Sequence, residues 1–330
     1  MDIQAQRDLI KRINAFSESS TSTALRELGL TLGLFFAFCG IMLYGLHLGG
    51  WGYVLLLLPL PFAGILQTRL FTIQHDCGHG AYFPSKRVND VVGTLLGVLT
   101  LTPYYYWRKN HSAHHAYSGN LDHRGIGDVD TLTLREYEAL PPFKKFTYRF
   151  YRHPLFILLA APVLLFGFKH RLPLDNPYPS LKTWVNIMLT NAGIAAFITG
   201  VVLAFGWPAF FFVYIPVWWA GSTFGVAGFY IQHQYEDTYW HRSEDWSYFN
   251  AGLLGSSYFE FPKIINWLVN HINLHHIHHL SFRVPSYRLR ECFDAIPELQ
   301  NVPKRTLADA PKCFTLALWD EDNKKMVGFH

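Results

Sequence analysis

Apolar residues in this chain come in long blocks. Leu28 to Leu48 is an apolar run of about 20 residues, enough to cross a hydrocarbon core of about 30 Å. A break at "GGWG" leads to a second run from about Tyr53 to Ile73. A third extends from near Trp184 to near Phe205, "GWP" at 206–208 turns the chain, and a fourth runs from Pro208 to Ile231. The pattern predicts two helical hairpins, each with a very short outer turn. Two shorter stretches, Val91–Tyr106 and Leu155–Phe168, are interrupted by Gly or Pro. At their length, interfacial, re-entrant or buried segments are expected rather than spans.

Charge gives the hairpins a direction. Lys and Arg are absent from Leu28 to Thr68 and again from Thr183 to His241. They crowd the flanks at Lys86, Arg87, Arg108, Lys109, Lys144, Lys145, Lys169, Arg171, Arg242 and Lys263. The positive-inside rule then puts both hairpin tips outside and everything else on the cytoplasmic side. The expected architecture is an all-α membrane protein of one domain, residues 1–330. It has four transmembrane helices (about 28–48, 53–73, 184–205 and 208–231) and a cytosolic helical cap formed by 74–183 and 232–330.

Composition supports a membrane protein: 50% of residues are hydrophobic and only 16% are charged, against roughly 25% in soluble proteins. The formal charge of +4 gives no reason to expect nucleic acid as a partner. The four cysteines are scattered and form no CxxC pair, so neither a disulfide framework nor a zinc ribbon is suggested. The polar start, "MDIQAQRDLIKRINAFSESS", lacks the apolar core of a cleaved signal peptide.

Histidine carries the chemistry. Of 17 histidines, most fall in four places: "HDCGH" (His75, His79), "HSAHH" (His111, His114, His115), "IQHQ" (His233) and "HHIHH" (His275, His276, His278, His279). On a helix each residue turns by about 100°, so positions i, i+3 and i+4 share a face. Each cluster therefore presents two or three imidazoles together, and all lie at the expected cytoplasmic ends of the spans. Burying so many imidazoles without partners would be costly, which points to metal. Neutral imidazole suits iron, copper, zinc or nickel. Nine ligands, His75, His79, His111, His114, His115, His233, His275, His278 and His279, exceed the four that a tetrahedral zinc takes and fit two metal ions with open positions. HExxH is absent, so the general base of the zinc proteases is missing at its usual place.

The stretches "HDCGHGAYF", "WRKNHSAHHAYSGNLDHRGIGD", "YIQHQYEDTYW" and "HHIHHLSFRVPSY" closely resemble the membrane fatty-acid desaturases, nearest in wording to the acyl-lipid Δ12 (omega-6) type. The likeness runs from about Leu70 to the C-terminus, including "LALWDEDNKKMVGF". It implies a non-haem di-iron centre held by those nine histidines, with O2 as co-substrate, inserting a cis double bond into a fatty acyl chain. The chain has no CxxCH, HPGG, GxGxxG or ferredoxin cysteine run, so electrons are expected from elsewhere, and the resemblance implies a separate donor, a ferredoxin or a b-type cytochrome.

Free imidazole N–H groups need acceptors that orient the rings. The candidates are Asp76, Asn110, Asp122, Asp128, Glu236, Asp237, His271 and His276, the alternative being that the carboxylates cap helices or pair with Arg108, Lys109 or Arg124. His271 lies one turn before His275 if that helix extends so far back, where the resembling sequences carry asparagine. An acyl tunnel is expected to draw on Tyr104, Tyr105, Tyr106, Trp107, Trp218, Trp219, Phe224 and Phe229. Competing readings are a hydroxylase or epoxygenase on the same scaffold and, from another class, a histidine-rich metal or haem membrane transport protein.

Overall fold

A computed structural model describes residues 1–125, 127–174 and 179–329. Three helical stretches are long and apolar enough to cross a membrane: Thr21–Leu48, Gly50–His79 and Leu181–His233. The first begins where the Ser20 hydroxyl accepts from the Thr23 amide, an N-cap of the usual kind. It returns through the turn at 49–52 into the helix Leu60–His79. The third stretch is interrupted at Gly206, whose φ of 79° and ψ of 170° are non-helical, with Pro208 just beyond. The bend falls at the "GWP" that the hydropathy pattern marks as a turn, inside Leu181–Ala209, and beyond it the chain continues through the π-helical run Phe210–Tyr214 into Ile215–His233.

The helix Ile215–His233 packs chiefly against Leu60–His79. The two backbones nearly touch. A Cβ on Gly64 would lie 2.8 Å from the Cβ of Ala220, and one on Gly221 would lie 2.9 Å from the carbonyl of Gly64. Small residues at such a crossing let helices approach without a hydrophobic driving force, as membrane helices require. This crossing also brings the C-terminal ends carrying His75, His79 and His233 close together.

The two short apolar stretches are irregular. Val91–Tyr106 is divided between the helices Lys86–Leu99 and Tyr104–Tyr117. Leu155–Phe168 contains two π-helical runs, Phe156–Ala160 and Val163–Phe168. Their wide winding frees carbonyls, and two find partners on the neighbouring helix: Thr223 Oγ1 donates to Leu158 at 3.0 Å and Trp219 Nε1 to Leu159 at 3.1 Å. π-turns of this kind often border functional sites.

The remaining chain is mostly short helices, but the expectation of an all-α fold needs a correction. Leu132–Thr133 pairs parallel with Leu318–Asp320, which pairs antiparallel with Lys325–Val327. Tyr258–Phe259 pairs parallel with Lys304–Arg305. Strands of two or three residues leave no period-two pattern to read, and each pairs at long range except the last hairpin. The N-terminal helix Ile3–Asn14 buries Leu9 and Ile13 in the core that also holds Leu274, Ile277 and Leu289, behind the third histidine box.

One charge sits inside the second apolar run. Arg69, 1% exposed, meets Glu27 Oε2 at 2.7 Å and donates from Nε to Thr31 at 2.9 Å. Its guanidinium lies 4.3 Å over the Trp267 ring and also donates to the Trp267 carbonyl. Arg69 thus ties both N-terminal long helices to the segment that leads into the third histidine box. Removing one partner of a buried pair strands the other charge. Arg69→Ala is expected to lower stability by about 3–5 kcal/mol, read as a fall in unfolding temperature in detergent.

Candidate metal centre

Each histidine box occupies a helix end. His75 and His79 occupy the last turn of Leu60–His79, and His233 ends Ile215–His233. His111, His114 and His115 lie on Tyr104–Tyr117, and the third box makes up the short helix His275–Leu280. These helices converge, and the nine imidazoles divide into two groups. His75, His79, His111, His115 and His278 form one, while His114, His233, His275 and His279 form the other. Within each group the facing nitrogens all lie within 4.8 Å of one another. The groups adjoin, since the rings of His115 and His279 stack at 4.3 Å. That spacing leaves no room for a macrocycle between them.

The nitrogen contacts are those of a ligand set. Nε2 of His115 lies 3.0 Å from Nε2 of both His111 and His278. Nε2 of His275 lies 3.0 Å from that of His233 and 3.1 Å from that of His279. A neutral imidazole nitrogen carries either one proton or one lone pair, so it cannot satisfy two such neighbours by hydrogen bonding. By contrast, two ligands at right angles on an ion with bonds of about 2.1 Å stand about 3.0 Å apart. Buried nitrogens without partners remain as well, among them His79 Nε2 and both nitrogens of His114. Burial, and then neighbouring imidazoles, hold His111, His115, His275, His278 and His279 well below the ordinary histidine range. They are neutral at physiological pH and offer lone pairs. The residues fit metal.

Some of the orienting partners are present. His75 Nδ1 lies 3.0 Å from Asp76 Oδ1, and Asp76 Oδ2 accepts from the Ser286 amide at 2.7 Å. Asp128 Oδ2 faces His114 Nδ1 at 3.7 Å, beyond direct hydrogen-bond distance. His233 Nδ1 faces the Gly255 carbonyl at 3.1 Å, a backbone partner with no signature in sequence. Trp107 stacks on His111 at 4.5 Å and Phe282 on His79 at 5.0 Å.

Five other candidates do not contact the centre. Asp122 pairs with Arg242 at 3.0 Å, Glu236 with Lys312, and Asp237 with Arg305, all at the surface. These cations are not the ones weighed from sequence, because they lie 68 to 120 residues away along the chain. His276 turns away from both histidine groups, and its Nε2 donates to the Leu299 carbonyl at 3.0 Å. His271 precedes the helix rather than extending it: Asn270 and His271 both have φ of 57°, so the ring leaves the ligand face. Burial pushes both rings down to about 4. Asn110 lines the cavity described next, and among the described residues no bond joins its side chain to a histidine. His276→Phe is therefore expected to retain metal and to lose about 1–3 kcal/mol of stability, because the Leu299 carbonyl loses its donor. Metal analysis and thermal unfolding check both halves.

A cavity of about 570 Å³ borders both groups, reaching His75 and His111 on one side and His275 on the other. Its walls are mainly apolar: Phe71, Leu164, Phe166, Phe224, Phe229 and Phe261. Of the aromatic residues expected to line a tunnel, Trp107, Phe224 and Phe229 do so. Tyr104 instead is buried with its hydroxyl on the Cys77 carbonyl, and Trp219 bonds the π-helical run.

The sequence profile described as "Fatty acid desaturase" matches residues 49–308. The chain belongs to the fatty acid desaturase family. Among its relatives, a "Fatty acid desaturase" of Bacillus subtilis (strain 168) is 39% identical over 324 residues, 98% of this chain and 91% of the relative. An "sn-1 oleoyl-lipid 12-desaturase" of Picosynechococcus sp. is 30% identical over 254 residues, 74% of this chain and 70% of the relative. An "sn-1 acyl-lipid omega-3 desaturase (ferredoxin)" of Nostoc sp. is 27% identical over 288 residues, covering 81% and 75%. For a desaturase, the juxtaposition of two histidine groups with one apolar cavity has a direct use: a methylene chain held there would run past the metal-binding face.

Proposed function

We propose that this desaturase binds two iron ions, one in each histidine group, and inserts a cis double bond into a fatty acyl chain lying in the 570 Å³ cavity. The observation that carries the reading is that a single apolar cavity touches both groups. When bound, iron would supply the O2-dependent oxidising power that no side chain has. The net reaction takes two hydrogens from adjacent methylenes and two electrons and two protons from outside, and it reduces O2 to two waters. The chain's own residues orient the work: apolar walls exclude water and align the acyl chain, while Asp76 and Asp128 hold His75 and His114.

The substrate in this reading is a lipid-linked acyl group and the position is Δ12, as the name of the Picosynechococcus relative reads. The donor is a ferredoxin or a b-type cytochrome; the name of the Nostoc relative includes the first. The protein spans the membrane four times as a single domain, with both termini and the metal centre cytoplasmic. A 53-residue apolar stretch is far longer than one crossing requires and is bent back at Gly206, which supports two passes there.

Expression in a host that makes only monounsaturated acids tests this. A dienoic product with its new bond at Δ12, and about two irons per purified chain, are the expected results. A new monoene would move the position and keep the desaturase, whereas a hydroxy or epoxy acid would place the chain with the oxygenating relatives.

A further inference from the structure

Arg152 follows the helix Pro142–Tyr151 and is 2% exposed. Its Nη1 donates to the Asp130 carbonyl at 3.0 Å and to the Thr131 hydroxyl at 3.2 Å. Its Nη2 donates to Gln234 Oε1 at 2.7 Å and to the Tyr230 hydroxyl and Leu316 carbonyl, each at 3.1 Å. Every acceptor is neutral. Among the described residues no carboxylate pairs with this guanidinium, and its Nε is buried without a partner. A buried charge compensated only by neutral groups is expensive, and apolar packing could join the same segments at lower cost. What the planar fork adds is direction: it fixes several chain segments in one mutual geometry.

The segments it fixes are informative. Asp130 and Thr131 follow directly on the turn that presents Asp128, the carboxylate facing His114 at 3.7 Å. Gln234 is the residue after His233, and its Nε2 also donates to Thr131 at 3.3 Å. One guanidinium therefore joins the loop behind His114 to the helix end that bears His233. Both histidines belong to the same four-membered group. The other group is anchored separately, through Asp76 and the Ser286 amide.

We infer that Arg152 is the positioning residue of the four-histidine group, holding His233 and the Asp128 partner of His114 in register for one of the two metals. This rests on the two-iron reading above. The prediction is selectivity. In Arg152→Met, purified as the full chain in detergent, one iron is retained at wild-type affinity. The second binds roughly ten- to hundred-fold more weakly, the range for losing a group that orients a ligand. The oxidised protein should then show the EPR signal of an isolated ferric ion. His233→Ala should show the same pattern, and combining the two should lose little more. Arg152→Lys, which keeps the charge with fewer bonds, should lie between. An Arg152→Met protein that holds both irons at wild-type affinity, or loosens both equally while folded, overturns the inference. If that variant does not fold, Thr131→Val and Gln234→Leu decide it by the same iron measurement, since each removes one strand of the network. Two tight irons in both would sink the idea. A wild-type chain that never binds two irons would instead refute the two-iron reading itself.

Discussion

His278→Ala will take desaturation below detection and strip the iron of the five-histidine group. His278 belongs to the five-histidine group. Its Nε2 is 3.0 Å from that of His115, and its ring lies 4.5 Å from His75 and 5.0 Å from His79. Alanine removes a donor nitrogen and leaves the adjacent imidazoles facing a void. The loss should exceed the ten- to hundred-fold drop in metal affinity typical of changes one shell farther out. His114→Ala should do the same from the second group. Iron per chain and the fatty-acid profile of expressing cells measure both effects. His276→Phe, two residues away on the same short helix, is the control expected to keep iron. Full turnover by His278→Ala would remove that residue from the ligand set.

The second large effect is expected at Gly228. It lines the cavity, and a Cβ built on it meets nothing within 4 Å. A phenylalanine there extends into open space rather than into neighbouring backbone. The helix itself should gain up to about 1 kcal/mol, because glycine is a poor helix residue. An acyl chain held in the cavity, however, would lose volume it needs. A mismatch of one methylene in an apolar pocket is worth on the order of 10- to 200-fold in kcat/KM, and a benzyl group should cost at least that much on long chains. Gly228→Phe is thus expected to keep iron, unfold at the same or a higher temperature, and lose long-chain turnover. Unchanged activity on long chains would show that the substrate does not use this cavity.

These expectations rest on unequal parts of the molecule. The ligand faces were legible in the chain, because spacing of three and four residues is a local property of any helix. His75 with His79, or His111 with His115, point together whatever the rest of the fold does. The long apolar runs were equally legible, and the turn at Gly206 falls within the "GWP" that marks it. Orienting groups were legible only in part: Asp76 and Asp128 lie beside His75 and His114, but the other carboxylates do not. Asp122, Glu236 and Asp237 sit near the boxes in sequence, yet each is claimed by an arginine or lysine distant in the chain. Proximity along the chain does not separate these three from Asp76 and Asp128, and Gly255 and Arg152 carry no signal at all.

His271 shows the boundary most clearly. A helical continuation would have aimed it at the histidine groups, but it and Asn270 both have φ of 57°, and the helix starts only at His275. The sequence by itself determined which residue types carry the chemistry, which of them share a helix face, and which segments are apolar enough for a membrane. Only the tertiary structure decided how nine histidines divide into five and four, which carboxylates serve them, and that one cavity meets both groups. The physical reason is range. Helix phase and apolar length are set within a few residues, whereas the grouping depends on a crossing at Gly64 and Gly221 and on bonds between segments far apart in the chain.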